Sequence, residues 1–112
     1  MKEITTADFA GEVLQAASPV LVDFYTTTCQ PCRRMAPVLE EIARCRPTEI
    51  KIVKLNCEAE PAAAAQYGVR TVPTFLLFVK GRVVAQSIGE RPREAFERWL
   101  DQAEAENGRR EG

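Results

Sequence analysis

Cys29 and Cys32 are the residues of this chain best suited to chemistry, because two thiols three positions apart follow a predicted strand and open a predicted helix. Residues i and i+3 of a helix share a face, with Cβ atoms about 5–6 Å apart, which permits a disulfide after modest adjustment. The unpaired N–H groups and the partial positive charge at a helix start favour a thiolate over a thiol. The spacing therefore predicts a dithiol that attacks, closes into a disulfide and reopens.

The two thiols are expected to act differently. Cys29 stands nearest the helix start and is predicted to be the more exposed thiol and the nucleophile. Cys32 lies one turn further and is predicted to be the buried, resolving thiol. Between them, Pro31 stiffens the loop, and Gln30 is either a hydrogen-bonding group at the mouth of the site or a solvated side chain. A structural disulfide, or half of a metal site, is the alternative for the pair.

Asp23 is a lone carboxylate in the apolar stretch Val20–Tyr25. Burial disfavours a charged carboxylate, so its pKa should rise, and a carboxylate close to Cys32 could accept the proton of that thiol. The alternative is an edge position at which Asp23 faces solvent. Strand interiors are depleted in aspartate, so we favour a functional position.

The composition limits the classes of function that this chain can have. It has 112 residues, 46% of them apolar, and a net charge of −1, which predicts a single domain and argues against nucleic-acid or membrane-surface binding. No apolar run approaches the roughly 20 residues of a membrane helix. The absence of histidine excludes Ser–His and Cys–His catalytic pairs. The first residues lack the features of a signal peptide, so we expect a cytoplasmic protein, in which a CxxC pair is redox-active or metal-binding.

The apolar periodicity places the cysteine pair just past the carboxyl end of a strand, where α/β sheets usually carry their sites. The predicted elements are a short strand at Lys2–Ile4, a helix capped by Thr5 or Thr6 and ended by Ser18-Pro19, a strand at Val20–Tyr25, a helix from Pro31, a strand at Ile50–Leu55, a helix at Ala62–Tyr67, strands at Thr74–Val79 and Arg82–Ile88, and a helix from Pro92. Helical crossovers make the early strands parallel, and the last two strands form an antiparallel hairpin. Residues 1–106 form the predicted domain, and residues 107–112 form a polar tail that we expect to be mobile.

This order of elements, with the cysteine pair after the second strand, resembles the thioredoxin family from about Thr5 to Ala103. The landmarks that carry the resemblance, in order and at matching spacing, are Val22-Asp23-Phe24, Pro37, Lys54-Leu55-Asn56, Tyr67–Thr74, Gly81 and Gly89. Two positions depart from the family pattern Trp-Cys-Gly-Pro-Cys, because Thr28 and Gln30 replace the tryptophan and the first glycine. These departures concern docking and the reduction potential rather than the fold.

The resemblance implies an α/β thioredoxin fold, with a central mixed sheet of about five strands flanked by about four helices. It also implies a thiol–disulfide oxidoreductase that reduces protein disulfides through a mixed-disulfide intermediate. The resemblance implies a thioredoxin reductase as the electron donor. It implies no cofactor, because the Cys29–Cys32 disulfide is itself the redox-active group. A monomer is the default expectation.

The resemblance further assigns residues around the dithiol. It supports Asp23 as the base that deprotonates Cys32, and it implies that Lys54 lies near Asp23. It reverses the general expectation of a trans bond before Pro73, because the family carries a cis-proline there. A cis-proline facing the dithiol would expose the backbone of Val72 to pair with an extended substrate segment. Gly89 would permit close approach of a partner's backbone, or it is a plain turn glycine.

Cys45 and Cys57 are the remaining cysteines. Cys45 continues the second helix and is predicted to be a buried or partly buried small apolar residue. Cys57 follows the third strand, at the sheet edge of the site, and is either a third reactive thiol or an inert residue. A metal-binding module would need both to converge on the CxxC pair, in a spacing that fits zinc ribbons poorly. A redox-inactive docking or chaperone module is the other alternative, and it would tolerate serine at both positions of the pair.

Overall fold

Strands and helices alternate along the chain and build one five-stranded sheet. The computed structural model describes the backbone of residues 1–111 and the side chains of residues 1–108. The elements are β1 (Lys2–Glu3), a π-helical turn (Ala10–Leu14), β2 (Val20–Tyr25), α1 (Gln30–Cys45), β3 (Lys51–Asn56), α2 (Pro61–Gln66), β4 (Thr74–Val79), β5 (Arg82–Ile88) and α3 (Arg93–Glu111).

The sheet is mixed, with the strand order β1-β3-β2-β4-β5. β1, β3 and β2 run parallel, β4 is antiparallel to β2, and β5 is antiparallel to β4. β2 is central, and its first five residues are buried, as expected for a strand that is covered on both faces. The predicted α/β class and mixed sheet are confirmed, and β2 places the start of α1 at the carboxyl end of the central strand.

Side chains alternate between two apolar cores, one on each face of the sheet. Leu21 and Ile52 belong to the core under α1 and α3, whereas Val22 and Val53 belong to the core under the π-helical turn and α2. Because successive strand residues point to opposite faces, Asp23 and Lys54 share the face of Leu21 and Ile52. The strands therefore direct both charged residues toward the side of the sheet that carries α1.

Two predicted segments differ from the structure. The first predicted helix is only the π-helical turn Ala10–Leu14, in which the N–H of Gln15 bonds to the carbonyl of Ala10. Phe9 and Val13 are buried as their spacing requires, but Ala17 is exposed beyond the turn. At the other end of the chain, α3 runs through Glu111, so most of the predicted tail is helical; Gly112 lies outside the described residues.

Gly81 shows how the hairpin packs against the π-helical turn. Its φ is +79°, and a Cβ added there would lie 3.1 Å from the carbonyl oxygen of Leu14. Gly68 has a similar φ of +68° but nothing within 4 Å of the same position. We expect Gly68→Ala to cost about 1 kcal/mol through the left-handed backbone alone, and Gly81→Ala to cost roughly 2 kcal/mol or more because Leu14 must also move. Urea unfolding of both variants measures the difference, and equal costs would contradict this account.

No helix among the residues with described backbone is both long and apolar enough to span a membrane.

Candidate active site

Cys29 and Cys32 form a disulfide at the start of α1, with Cα atoms 5.2 Å apart. Cys29 is the residue that caps the helix: its backbone is extended, and its Sγ accepts a hydrogen bond from the backbone N–H of Cys32 at 3.1 Å. Pro31 fits the first turn because its missing N–H has no partner there. Cys29 is partly exposed and Cys32 is buried, as the sequence predicts. An N–H that points at Cys29 Sγ also stabilises a thiolate at this atom once the disulfide opens.

Asp23 is buried on the α1 side of the sheet, with only 4% of its surface exposed. The edge position considered for it is therefore excluded, since β2 pairs with a strand on each side. Asp23 Oδ1 has no hydrogen-bond partner within the part of the chain that the structure describes. Burial raises the pKa of Asp23 to about 7, and the charge of Lys54 opposes this rise. The carboxyl group thus changes charge close to neutral pH.

Lys54 lies opposite Asp23 in the parallel β2–β3 pairing. A pocket of about 330 Å³ opens beside them, and Asp23, Cys32 and Lys54 all contribute to its wall. Arg33 and Tyr25 also line this pocket. Asp23, Cys32 and Lys54 therefore border one common pocket.

The predicted substrate-binding residues lie in the first turn of α1 and in two loops, one before β4 and one after β5. The Val72–Pro73 peptide bond is cis, Val72 is partly exposed and Pro73 is buried. Gly89 has a φ of +88°, and its N–H donates to the carbonyl of Pro73 at 2.8 Å, so these two loops are joined. Gln30 is exposed, and Pro31 is partly exposed. Each of these five residues except Pro73 therefore has surface that a partner can touch.

An ion pair that was not predicted from the sequence links α1 to the Gly89 loop. The Nε of Arg34 donates to both carboxylate oxygens of Glu90, at 3.0 and 2.9 Å. The two residues are 56 positions apart, so no local pattern pairs them. This ion pair ties the first turns of α1 to the loop that also contacts Pro73.

A second unpredicted contact holds the loop between β2 and α1. The backbone N–H and the hydroxyl of Thr27 both donate to Glu58 Oε1, at 3.0 and 3.1 Å. Arg33 then donates to the carbonyl of Thr27 at 2.6 Å. The segment that delivers Cys29 is therefore fixed from two sides, by the loop after β3 and by α1.

The predicted burial of Cys45 is wrong. Cys45 is the last residue of α1, where no further helical turn covers it, and its Sγ lies 3.6 Å from Glu41 Oε1 at an exposed position. Cys57 follows β3 directly and is half-buried, and its N–H donates to the carbonyl of Tyr25 at 2.8 Å. Burial, followed by the charge of Asp23, raises the pKa of Cys57 to about 11, which favours the unreactive thiol. Among the residues that the structure describes, no group of three or more Cys, His, Asp or Glu is arranged to hold a metal ion.

Comparison with known proteins agrees with this geometry. The family model described as thioredoxin matches residues 1–102. The chain belongs to the thioredoxin family. It is therefore a thiol–disulfide oxidoreductase of the disulfide-reductase class, and the Cys29–Cys32 disulfide is the redox group that this class requires.

Individual thioredoxins align along almost their whole length. Thioredoxin 1 of Synechococcus elongatus is 42% identical over 98 residues, which cover 88% of this chain and 92% of the relative. The thioredoxin of Alicyclobacillus acidocaldarius is 43% identical over 97 residues, covering 87% and 91%. The thioredoxin of Rhodospirillum rubrum is 38% identical over 101 residues, covering 90% and 97%. The similarity to these relatives therefore extends over most of this chain and of each relative.

Proposed function

We propose that this thioredoxin is a cytoplasmic monomer that reduces disulfides in partner proteins and is itself reduced by a thioredoxin reductase. The Cys29–Cys32 disulfide at the start of α1, beside the buried Asp23, is the observation that carries the proposal. Members of the family act on protein disulfides and are reduced by thioredoxin reductase. In this proposal the Cys29–Cys32 disulfide serves as the redox group without an added cofactor.

In the first step, the thiolate of Cys29 attacks one sulfur of the substrate disulfide. The bond between the two substrate sulfurs breaks, one leaves as a thiolate, and the other is joined to Cys29 as a mixed disulfide. Partial exposure of Cys29 and the N–H of Cys32 that points at its sulfur support this assignment. A thiolate at the N-terminus of α1 is also favoured by the helix dipole.

In the second step, Cys32 attacks Cys29 Sγ and expels the remaining substrate sulfur as a thiolate. The Cys32 thiol gives its proton to the carboxylate of Asp23, and Lys54 offsets the buried negative charge. Two electrons have then passed from the dithiol to the substrate, and the protein keeps the Cys29–Cys32 disulfide. The shared pocket and the pKa of about 7 at Asp23 support this base role near neutral pH.

We assign substrate contact to the exposed backbone and side chains around Cys29. Val72, beside the cis bond to Pro73, offers backbone groups to an extended substrate segment, and Gly89 admits a backbone at close range. Gln30 and Pro31 flank the reactive sulfur directly. Substrate recognition through backbone groups makes few demands on the substrate's side chains, which suits a general reductase.

The atypical Thr28 and Gln30 are expected to weaken docking without removing the dithiol chemistry. We expect the wild-type protein to reduce insulin disulfides with dithiothreitol, and with NADPH and a bacterial thioredoxin reductase. The double variant Thr28→Trp/Gln30→Gly should still reduce insulin with dithiothreitol and should lower the KM for the reductase by about tenfold, equivalent to about 1.4 kcal/mol, because a buried aromatic is a strong contact at an interface.

These rates separate three outcomes. Turnover of the wild-type protein with dithiothreitol alone would leave the disulfide chemistry in place and refute the generic reductase as its donor. No turnover with either donor, in folded and metal-free protein, would refute the reductase function and favour the docking or chaperone module. An unchanged KM in the double variant would show that Thr28 and Gln30 do not limit docking.

A further inference from the structure

Three charged residues form a row across the sheet, on the side that carries α1. In the register of the parallel strands, Glu3 of β1 lies opposite Lys54 of β3, and Lys54 lies opposite Asp23 of β2. Residues opposite one another in a sheet share a face. Lys54 is thus the middle member of the row, with a residue that carries a carboxyl group on either side.

Tyr25 reaches across this row. It follows Asp23 by two residues on β2 and so shares its face. Its hydroxyl donates to Glu3 Oε2 at 2.7 Å, although β3 lies between the strands that carry the two residues. Lys54 Nζ lies 5.5 Å from the centroid of the Tyr25 ring, within the range of a cation–π contact. The phenol therefore spans the strand at the position of Lys54.

We propose that Tyr25 is a positioning residue whose bond to Glu3 holds the Lys54 ammonium near Asp23 for the exchange reaction. The proposal rests on the proposed function, in which Asp23 accepts the proton of Cys32. It assigns Tyr25 and Glu3 to a site in which neither residue touches the sulfur atoms. The Glu3–Tyr25 hydrogen bond is called the latch below.

Lys54 needs such a restraint because its side chain is flexible and only partly buried. Without the latch, the Glu3 carboxylate is free to attract the ammonium away from Asp23. With the latch, one Glu3 oxygen accepts from the phenol, and the ring offers the ammonium a second favourable contact. Burial, the bond to Glu3 and the charge of Glu3 all raise the pKa of Tyr25, which keeps the phenol protonated as the donor.

Other ionisable groups also line the pocket or interact with Asp23, and they surround the carboxyl group in every variant. The groups are Lys54 and Cys57 at β3, Tyr25 on β2, Cys32 and Arg33 on α1, and the N-terminal residue Met1. Lys54 is the group among them whose charge lowers the pKa of Asp23. A change in the position of Lys54 should therefore change the pKa of Asp23.

Two substitutions should shift that titration in opposite directions. Tyr25→Phe keeps the ring but frees Glu3, so the ammonium moves away and the pKa of Asp23 rises by about half a unit to one unit. Glu3→Gln keeps an acceptor for the phenol but removes the competing charge, so the pKa of Asp23 falls by a similar amount. Carboxyl ¹³C NMR of the oxidised protein measures both values, and the pH profile of the Cys32 step should move with them.

Tyr67→Phe is the matched control, because it removes a phenol on the opposite face of the sheet, where Tyr67 packs against Phe9 and Phe78. It should leave the titration of Asp23 unchanged. If the pKa of Asp23 is the same in wild type, Tyr25→Phe and Glu3→Gln, the proposed role of the latch is refuted. If Asp23→Asn leaves the Cys32 step unaffected, the base role fails instead, and the NMR titrations still decide whether the latch positions Lys54.

Discussion

Cys29→Ser lowers the rate of insulin reduction by at least about a thousandfold, whereas Cys32→Ser retains the first attack and accumulates a mixed disulfide. A serine hydroxyl at position 29 is a far weaker nucleophile than a thiolate at a helix start, so no covalent intermediate forms. With serine at position 32, the second attack cannot occur, because no second sulfur is present to displace the substrate. Intact-protein mass spectrometry under non-reducing conditions detects the adduct in one variant and its absence in the other.

The remaining cysteines provide matched controls. Cys45 is exposed at the end of α1, and Cys57 is half-buried with a pKa raised to about 11. Cys45→Ser and Cys57→Ser should each keep the wild-type rate of insulin reduction within about twofold. Adduct formation by Cys29→Ser would contradict the assignment of the nucleophile. Full activity in a protein that lacks both Cys29 and Cys32 would instead identify a docking or chaperone module.

Asp23→Asn stabilises the oxidised protein at alkaline pH. The pKa of Asp23 is about 7 in the folded protein and near its usual value of 3.8 in the unfolded chain, so the folded state binds more protons between these values. Stability therefore falls as pH rises from about 4 to about 7 and stays low above that range. The rise in pKa corresponds to a loss of at most about 4 kcal/mol in the free energy of unfolding. The asparagine variant does not lose this free energy, because it has no charge to bury.

Urea unfolding of the oxidised proteins at pH 4 and pH 8.5 measures this effect. The asparagine variant should match wild type at pH 4, where the carboxyl group is neutral, and exceed it by up to about 4 kcal/mol at pH 8.5. Lys54→Met is the opposing control, because removing the cation that lowers the pKa of Asp23 should reduce stability at pH 8.5. A pH-independent difference between wild type and Asp23→Asn would show that the carboxyl group titrates at its ordinary pKa.

Asp23→Asn should also slow the second chemical step. An asparagine cannot accept the proton of Cys32, and general-base catalysis contributes on the order of a hundredfold or more to such a step. The mixed disulfide should therefore persist longer than in wild type, although it should still resolve. The variant is thus more stable and less active, which is the behaviour expected of a buried charge retained for function.

The sequence by itself determined the features of this protein that depend on residues close together along the chain. The CxxC spacing, Pro31 in the first helical turn and the apolar run Val20–Tyr25 place a dithiol at the N-terminus of a helix after a central strand, and the structure agrees. The position of Asp23 as a lone carboxylate in this apolar run was enough to mark it as an unusual carboxyl group. The length and geometry of segments with a weak helical preference were harder to predict from the sequence. Ala10–Leu14 forms only a π-helical turn, because tertiary packing outweighs a weak local preference.

Only the tertiary structure decided which distant residues meet. The row of Glu3, Lys54 and Asp23 depends on the order and register of three strands, which no local pattern specifies. Tyr25 shares the face of Asp23 by alternation alone, yet its bond to Glu3 requires β1 to lie on the far side of β3. Strand pairing of this kind is set by burying both faces of one sheet at once. The chemistry of the pair Cys29–Cys32 and the nearby charges of Asp23 and Lys54 could therefore be predicted from the sequence and the family resemblance, whereas the contact of Tyr25 with Glu3 could not.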